Sequence, residues 1–341
     1  MRTDALPLLD MQEWRTAPSQ FAERLRFAAH NVGFFTLRHR LPDGVAEGVM
    51  AASREFFALS ADQKSSMDYS RSAAFRGYMA VGVENTAGAP DVREQVELAA
   101  EAPPSPPDVM PPYERLRGPN QWPEAMPSLR PTLDAFTAHM LALSSELTAA
   151  LCAALRVPDG SLDPLFGGAP HWQLKLARYP PVPPPADSVG VGAHTDSGFL
   201  TLLLQDDVGG LQVQPSDGRW VDVPPAGAGV LVCNLGEVAE LASAGYLKAT
   251  PHRVLSSGRE RVSVPFFYNP RLEAVVRPLA LPAELEWERE EGERWRNPAN
   301  ELIAEYGANA FKSLARSHPS VLRRWHADLR VDPQTGRVER A

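Results

Sequence analysis

Three side chains in this sequence have the types and spacing of a mononuclear metal site. GVGAHTDSGFLTLLLQ sets His194 and Asp196 two residues apart, bracketed by Gly190, Gly192 and Gly198 ahead of a strongly β-forming run. In extended chain, residues two apart point to the same side, so an imidazole and a carboxylate there reach one ion. Downstream, ATPHRVLS places His252 behind a proline at the start of another strand-like run. Two imidazoles and one carboxylate occupy one face of an octahedral ion and leave three positions for substrate and oxygen. That arrangement is typical of non-heme Fe(II) oxygenases. The same spacing is met by a hydrogen-bonded turn aspartate beside two unrelated core histidines, so the pattern alone leaves both open. A second His-x-Asp, His326-Ala327-Asp328, lies in VLRRWHADLR, which reads as helix. There the two side chains diverge by roughly 200°, and the pair is expected to be a surface coincidence.

Nine residues beyond His252, RVSVPFFY adds a second constellation: Arg261 and Ser263 share one strand face while Val262 and Val264 take the other. A guanidinium beside a hydroxyl suits a carboxylate, through two parallel charge-assisted bonds and a third donor. Arginine on an apolar strand is costly to bury without an anionic partner. A structural salt bridge would also meet that need. A metal triad followed by a carboxylate clamp is more specific than either alone.

These residues need rigid elements around them. The chain has 341 residues, enough for one large domain or two ordinary ones. Its 33 prolines are about twice the usual share. They gather in APPSPPDVMPP at 102–112 and PPVPPP at 180–185, which read as extended loops. Ahead of the first run, Ser19 caps a predicted helix marked by Phe21, Leu25 and Ala28–Ala29. GFFTL at 33–37 reads as a buried strand and 43–59 as a helix. Phe136, Met140, Leu143, Leu147 and Leu151 predict a long helix over 133–155, packed along the back of a sheet. Then LKLARY, FLTLLLQ, LQVQ, WVDV, GVLVCN, HRVL and RVSVPFFY give many short strands at close spacing, hence a sandwich or barrel. The expected organisation is an N-terminal helix and strand region at 1–125, a backing-helix region at 126–168, an all-β core at 169–275 and a C-terminal helical region at 276–341, all forming one catalytic unit.

Composition excludes several classes. Hydrophobic residues make up 44% and charged residues 22%, a globular balance. With 34 Lys+Arg against 42 Asp+Glu the net charge is −8, and no basic block larger than Arg323-Arg324 suggests nucleic acid. No run of 18 apolar residues suggests a membrane span, and MRTDALPLLDMQEW lacks the pattern of a secretory signal. Cys152 and Cys233, both in apolar runs, are expected to be buried reduced thiols. A cytoplasmic location follows as an expectation.

Beyond these local signals, the sequence resembles the isopenicillin N synthase-like family of non-heme Fe(II)/2-oxoglutarate-dependent dioxygenases over most of its length. The blocks that carry the likeness are PLLD at 7–10, VGFFTL at 32–37, FFALSADQK at 56–64, RGY at 76–78 and GPNQWP at 118–123. They continue with ARYPP at 177–181, GAHTDSGFLTLLLQDDVGGLQV at 192–213, NLGE at 234–237, TPHRV at 250–254 and RVSVPFFYNP at 261–270.

The resemblance implies a double-stranded β-helix (jelly roll) flanked by N- and C-terminal helices. It also implies iron ligands at His194, Asp196 and His252, with Arg261, Ser263 and Tyr179 holding 2-oxoglutarate. An asparagine often found two residues before that tyrosine is Ala177 here, and the family's Asn-His-Gly is Arg38-His39-Arg40. The implied reaction oxidises an unactivated C–H bond of a small molecule, by hydroxylation, desaturation or cyclisation, with Fe(II), 2-oxoglutarate and O2, release of succinate and CO2, and stimulation by ascorbate. An oxidase of the isopenicillin N synthase type, which does without 2-oxoglutarate, carries a similar Arg-x-Ser pair. DDVGGL and VENTAGAPD resemble ethylene-forming-type enzymes, which fragment 2-oxoglutarate itself. A metal-binding jelly roll without redox activity is the non-enzyme alternative. His171, Phe75, Arg76 and Tyr78 are candidates for the rim of the pocket or for the core, and Trp122 for a packing anchor.

Overall fold

The computed structural model describes residues 5–86, 89–182, 189–227, 229–287 and 302–341. The chain starts with β1 (Leu8–Asp10), α1 (Met11–Thr16), α2 (Pro18–Asn31), β2 (Phe34–Arg38), α3 (Val45–Ala58) and α4 (Ala61–Ser65). Next come β3 (Gly77–Met79), the small pair β4 (Asn85–Thr86) and β5 (Ala89–Pro90), β6 (Glu94–Ala99), α5 (Leu129–Ala154) and α6 (Asp163–Phe166). The central strands are β7 (His171–Tyr179), β8 (Val189–His194), β9 (Leu200–Gln205), β10 (Leu211–Val213), β11 (Val221–Asp222) and β12 (Val230–Leu235). After α7 (Glu237–Ala242) they continue as β13 (His252–Leu255) and β14 (Arg261–Asn269). Beyond them lie α8 (Ala283–Trp287), α9 (Tyr306–Ser317), α10 (Pro319–Trp325), β15 (Leu329–Val331) and β16 (Val338–Arg340).

Two sheets make the jelly roll. The larger has the order β1-β2-β12-β9-β14-β7-β6-β3 and the smaller β11-β10-β13-β8. Strand period explains how they stack. On β14, Val262, Val264, Phe266 and Tyr268 enter the main core with Leu174 and Leu176 of β7, Val96 and Leu98 of β6, and Leu200, Leu202 and Leu204 of β9. The helices cover that face. Phe34, Tyr179, Val191, Leu211, Val213, Val232 and Val254 form a second cluster between the sheets. Each such side chain contributes about 1.5–3 kcal/mol on burial.

The long helix runs over Leu129–Ala154 and buries Leu133, Phe136, Met140, Leu147 and Leu151 on the spacing expected of it. It is apolar and long enough to cross a membrane, yet more than half of its apolar stretch is buried inside the protein, where it packs on α2 and α3. It is the backing helix of the sheet.

Three sequence expectations need correction. Ser19 does not cap α2: the helix begins at Pro18, whose missing N–H suits the first turn, and Ala17 supplies no side-chain bond. The strand expected at 33–37 is β2, but the all-β core expected at 169–275 is not self-contained, because β1, β3 and β6, which the sequence reading missed, join β2 in completing the larger sheet. The segment EQVELA of β6 escapes a strand reading because its polar residues Glu94, Gln95 and Glu97 are buried rather than turned to water. His326 is not at the surface. It follows α10, is 1% exposed, stacks on Phe75 at 5.3 Å and lies against the carbonyl of Ala73 at 2.8 Å. Part of the PPVPPP run, residues 183–185, lies outside the described residues.

Candidate active site

His194 ends β8 and His252 begins β13, and the two are direct cross-strand partners. Their rings lie 4.3 Å apart at 51°. Nδ1 of His194 meets the carbonyl of Gly192 at 2.8 Å, and Nδ1 of His252 meets that of Thr250 at 3.1 Å. A carbonyl only accepts, so each ring carries its proton on Nδ1 and turns the Nε2 lone pair inward. Asp196 Oδ1 stands 3.8 Å from His194 Nε2 and 3.7 Å from His252 Nε2. For ligand distances of about 2.0–2.2 Å, one ion fits between these atoms. The donor set of two imidazoles and one carboxylate suits Fe(II).

The local route to this geometry differs from the extended-chain one. The strand stops at His194, and Thr195 and Asp196 lie in a bend. The larger sheet aims the carboxylate from outside that bend. Thr201 of β9 and Asn234 of β12 are cross-strand partners on its inner face. They donate to Asp196 Oδ2 at 2.6 and 2.8 Å, leaving Oδ1 to face the histidines. The start of α7 fixes the backbone: Glu237 N–H donates to the Asp196 carbonyl and Val238 N–H to that of Gly198, at 2.8 and 2.9 Å. Gly198 and Gly236 have no side chain because a Cβ at Gly198 would collide with Asn269 Oδ1 and one at Gly236 with the Gly198 carbonyl.

Burial raises the Asp196 carboxyl, but the two imidazoles and the bonds from Asn234 and Thr201 outweigh it and hold the group below its ordinary range. Burial, with the neighbouring His252 adding, lowers His194 to about 4. At neutral pH the pair is therefore a carboxylate and a neutral imidazole, the forms that bind a cation.

Arg261 is 3% exposed. Its Nη1 donates to Ser263 Oγ at 3.2 Å and its Nη2 to Gln205 Oε1 at 3.1 Å, while the guanidinium lies over the Tyr179 ring at 4.8 Å. Nε has no partner, and among the described residues no carboxylate pairs with this cation. The structural salt bridge that the sequence left open is thus absent among those residues. Arg261 faces Tyr179 across the β14–β7 pair, and Ser263 faces Ala177. A small anion fits a buried cation, hydroxyl and ring of this kind.

The inner face of β14 continues from Arg261 and Ser263 to Pro265, Phe267 and Asn269. The last three line a cavity of about 210 Å³ that also takes in His194 and Asp196. Other parts of its wall went unread in the sequence: Glu84, Arg93, Glu97, Lys175 and His318. For Glu97 and Lys175 the alternation of EQVELA and HWQLKLARY holds the signal, since they share a face with Gln95 and Gln173.

The weaker candidates fall outside. His171 is buried beside Tyr306 and does not line the cavity. Burial, helped by Arg76 and Arg117, lowers it to about 3. Arg76 donates to the carbonyls of Ala100, Leu116 and Gly118 and ties a loop down. Tyr78 donates to Glu94 at 2.6 Å. Trp122 donates to Glu101 and lies under Arg130. Both cysteines are buried and free.

Comparison with known proteins adds an independent line. The model of the 2OG-Fe(II) oxygenase superfamily matches residues 171–270, and one described as the non-haem dioxygenase in morphine synthesis N-terminal matches 6–125. The 2-oxoglutarate-dependent dioxygenase frbJ of Dothideomycetidae sp. (strain 11243) is 30% identical over 95% of this chain and 93% of its own. The homoarginine-6-hydroxylase 2-ODD-C23 of Glycine max is 32% identical over 76% of this chain and 80% of its own. Among solved structures, a full-length Neurospora crassa protein in complex with alpha-KG superposes with a TM-score of 0.73 at 26% identity, covering 92% of this chain and 98% of that one. A 2OG-Fe(II) oxygenase family protein from Caulobacter crescentus gives 0.75 at 25% identity, covering 92% and 99%.

Proposed function

Since this chain belongs to the 2OG-Fe(II) oxygenase superfamily, we propose that His194, Asp196 and His252 hold its iron and that Arg261, Ser263 and Tyr179 hold 2-oxoglutarate. The protein is a non-heme iron, 2-oxoglutarate-dependent dioxygenase that acts on a small molecule. With iron and 2-oxoglutarate bound, such a site couples oxidative decarboxylation to succinate and CO2 with oxidation of a substrate C–H bond.

In this reading each residue has a separate task. The two histidines and Asp196 fix three positions on one side of the ion, and Thr201 and Asn234 keep the carboxylate turned toward it. Arg261 receives the distal carboxylate, with the Ser263 hydroxyl beside it and the Tyr179 ring as a wall. Phe267, Pro265 and Val191 exclude water from the space beside the triad. The observation that carries the cosubstrate assignment is Arg261: a buried guanidinium with no acidic partner among the described residues, on the sheet face that runs on into the cavity.

The oxidase without 2-oxoglutarate, the fragmentation of 2-oxoglutarate and the redox-silent metal protein are not favoured by the named relatives. The test measures succinate with and without 2-oxoglutarate, in air with Fe(II) and ascorbate. Succinate above background that disappears in Arg261→Ala supports the reading. Substrate oxidation at full rate without 2-oxoglutarate, or ethylene in the headspace, overturns it.

A further inference from the structure

Gln205 ends β9 and is the direct cross-strand partner of Ser263 on β14. It shares its face of β9 with Thr201, which aims Asp196, so one strand serves both ends of the site. Gln205 is 6% exposed. Its Oε1 accepts from Arg261 Nη2 at 3.1 Å, while Ser263 Oγ accepts from Nη1 at 3.2 Å and the Tyr179 ring lies under the guanidinium at 4.8 Å. A guanidinium only donates, so the amide turns its oxygen to Arg261 and its Nε2 away. That Nε2 is buried with no hydrogen-bond partner among the described residues.

The orphaned Nε2 says what this position requires. An apolar side chain of the same length, such as methionine, would fill the space without a buried unpaired donor and its desolvation penalty. It would also leave the guanidinium one acceptor short. A glutamate has the same shape and would bond more strongly, but its charge would neutralise Arg261 and compete with an incoming carboxylate. Glutamine is the side chain that orients the guanidinium and leaves its charge uncompensated. Arginine has a long, flexible stem, and the three contacts together fix where it ends. A ligand held by an ion at the triad and by Arg261 at its other end is therefore selected by its length.

Resting on the oxygenase reading above, we propose that Gln205 is a positioning residue: its amide oxygen fixes the Arg261 guanidinium without neutralising it, and so sets the length of 2-oxo dicarboxylate that the site accepts.

The test uses the full chain with Fe(II) under anaerobic conditions. Calorimetry compares 2-oxoglutarate with oxaloacetate, one methylene shorter, and 2-oxoadipate, one methylene longer, and iron titration and thermal melting are followed beside it. Gln205→Glu is expected to melt no lower than the wild type without ligands, because a buried cation gains a carboxylate. It is nevertheless expected to bind 2-oxoglutarate roughly 30-fold or more weakly, with iron retained. A role in packing alone predicts the reverse, since glutamate keeps both the shape and the acceptor. Gln205→Met is expected to retain iron, to bind 2-oxoglutarate roughly tenfold more weakly and to lose part of its preference over 2-oxoadipate. Should either variant not fold, the other decides. Wild-type affinity for 2-oxoglutarate in folded Gln205→Glu overturns the proposal. So does a folded Gln205→Met with unchanged affinity and length preference, or a loss of iron affinity that accompanies the loss of cosubstrate in either variant. In those cases the wild type still binds 2-oxoglutarate and Arg261→Ala does not, so the oxygenase reading stands. A wild type that binds no 2-oxoglutarate overturns the two together.

Discussion

At the scale of single residues, the site works by leaving selected atoms unpaired. Both triad histidines use Nδ1 on backbone carbonyls and keep Nε2 for an ion. His194→Ala or His252→Ala is expected to abolish stoichiometric iron binding after dialysis while the far-ultraviolet circular dichroism stays unchanged, because the sheets do not depend on the metal. Retention of iron by the double variant would refute the ligand assignment. Arg261→Ala removes one partner of a buried charge pair, a loss of about 2–5 kcal/mol. Calorimetry should show 2-oxoglutarate binding weakened by roughly 30- to several-thousand-fold, with iron retained. Ser263→Ala removes one neutral hydrogen bond and should cost about 0.5–1.5 kcal/mol. His171 gives the protein a pH signature unrelated to catalysis. Its folded value of about 3 lies below the ordinary 6.5, so between these two the unfolded chain binds the extra proton. Its contribution to stability is complete above pH 6.5 and is lost as pH falls toward 3. His171→Gln should flatten that part of a melting-temperature profile, and an unaltered profile would contradict it.

At the scale of elements, register does the positioning. The β9–β12 pairing sets Thr201 beside Asn234, the β8–β13 pairing sets His194 beside His252, and the β7–β14 pairing sets Tyr179 beside Arg261. A slip of one residue in any pair would turn these side chains into the hydrophobic layer. The bend that carries Asp196 is clamped by the start of α7, where Gly236 meets the backbone at a distance no Cβ tolerates. Gly236→Ala is expected to cost about 1–3 kcal/mol as overpacking does and to lower iron affinity, because the clamp and Asp196 move together. Gly48→Ala, in open space on α3, should instead raise stability by about 0.5–1 kcal/mol. Chemical unfolding and iron titration of the two variants separate local crowding from a general effect of added methyl groups. The same scale explains what was legible. α3 and α5 announce themselves through a strong apolar period, whereas β6 carries Glu94, Gln95 and Glu97 among its six residues. All three are buried, Glu97 against the cavity and Glu94 on the other face beside Lys64 and Tyr78, so the usual equation of polar with exposed fails there.

At the scale of the whole molecule, the C-terminal elements seal the N-terminal ones against the sheet. His326 is enclosed by Phe75 and Phe311, and Arg115 forms a bidentate pair with Asp328 at 2.7 Å to each oxygen. His326→Ala is expected to lower unfolding free energy by on the order of 2–3 kcal/mol while iron stoichiometry is unchanged. A loss of iron would place the C-terminal segment in the site instead. The second His-x-Asp shows why spacing does not settle function: both copies have the same two residue types, and only the surroundings separate them. By itself the sequence determined the donor types at His194, Asp196 and His252, the Arg261-x-Ser263 face, the backing helix and the short-strand core. Those follow from side-chain chemistry and from periods of two and 3.6 residues, which are local. The tertiary structure alone decided that Thr201 and Asn234 aim Asp196, that Arg261 meets no acid among the described residues, that Glu97 and Lys175 pair inside the cavity and that His326 is buried. Each of these depends on which distant segment packs against which face, and chain-local periodicity carries no information about that partner.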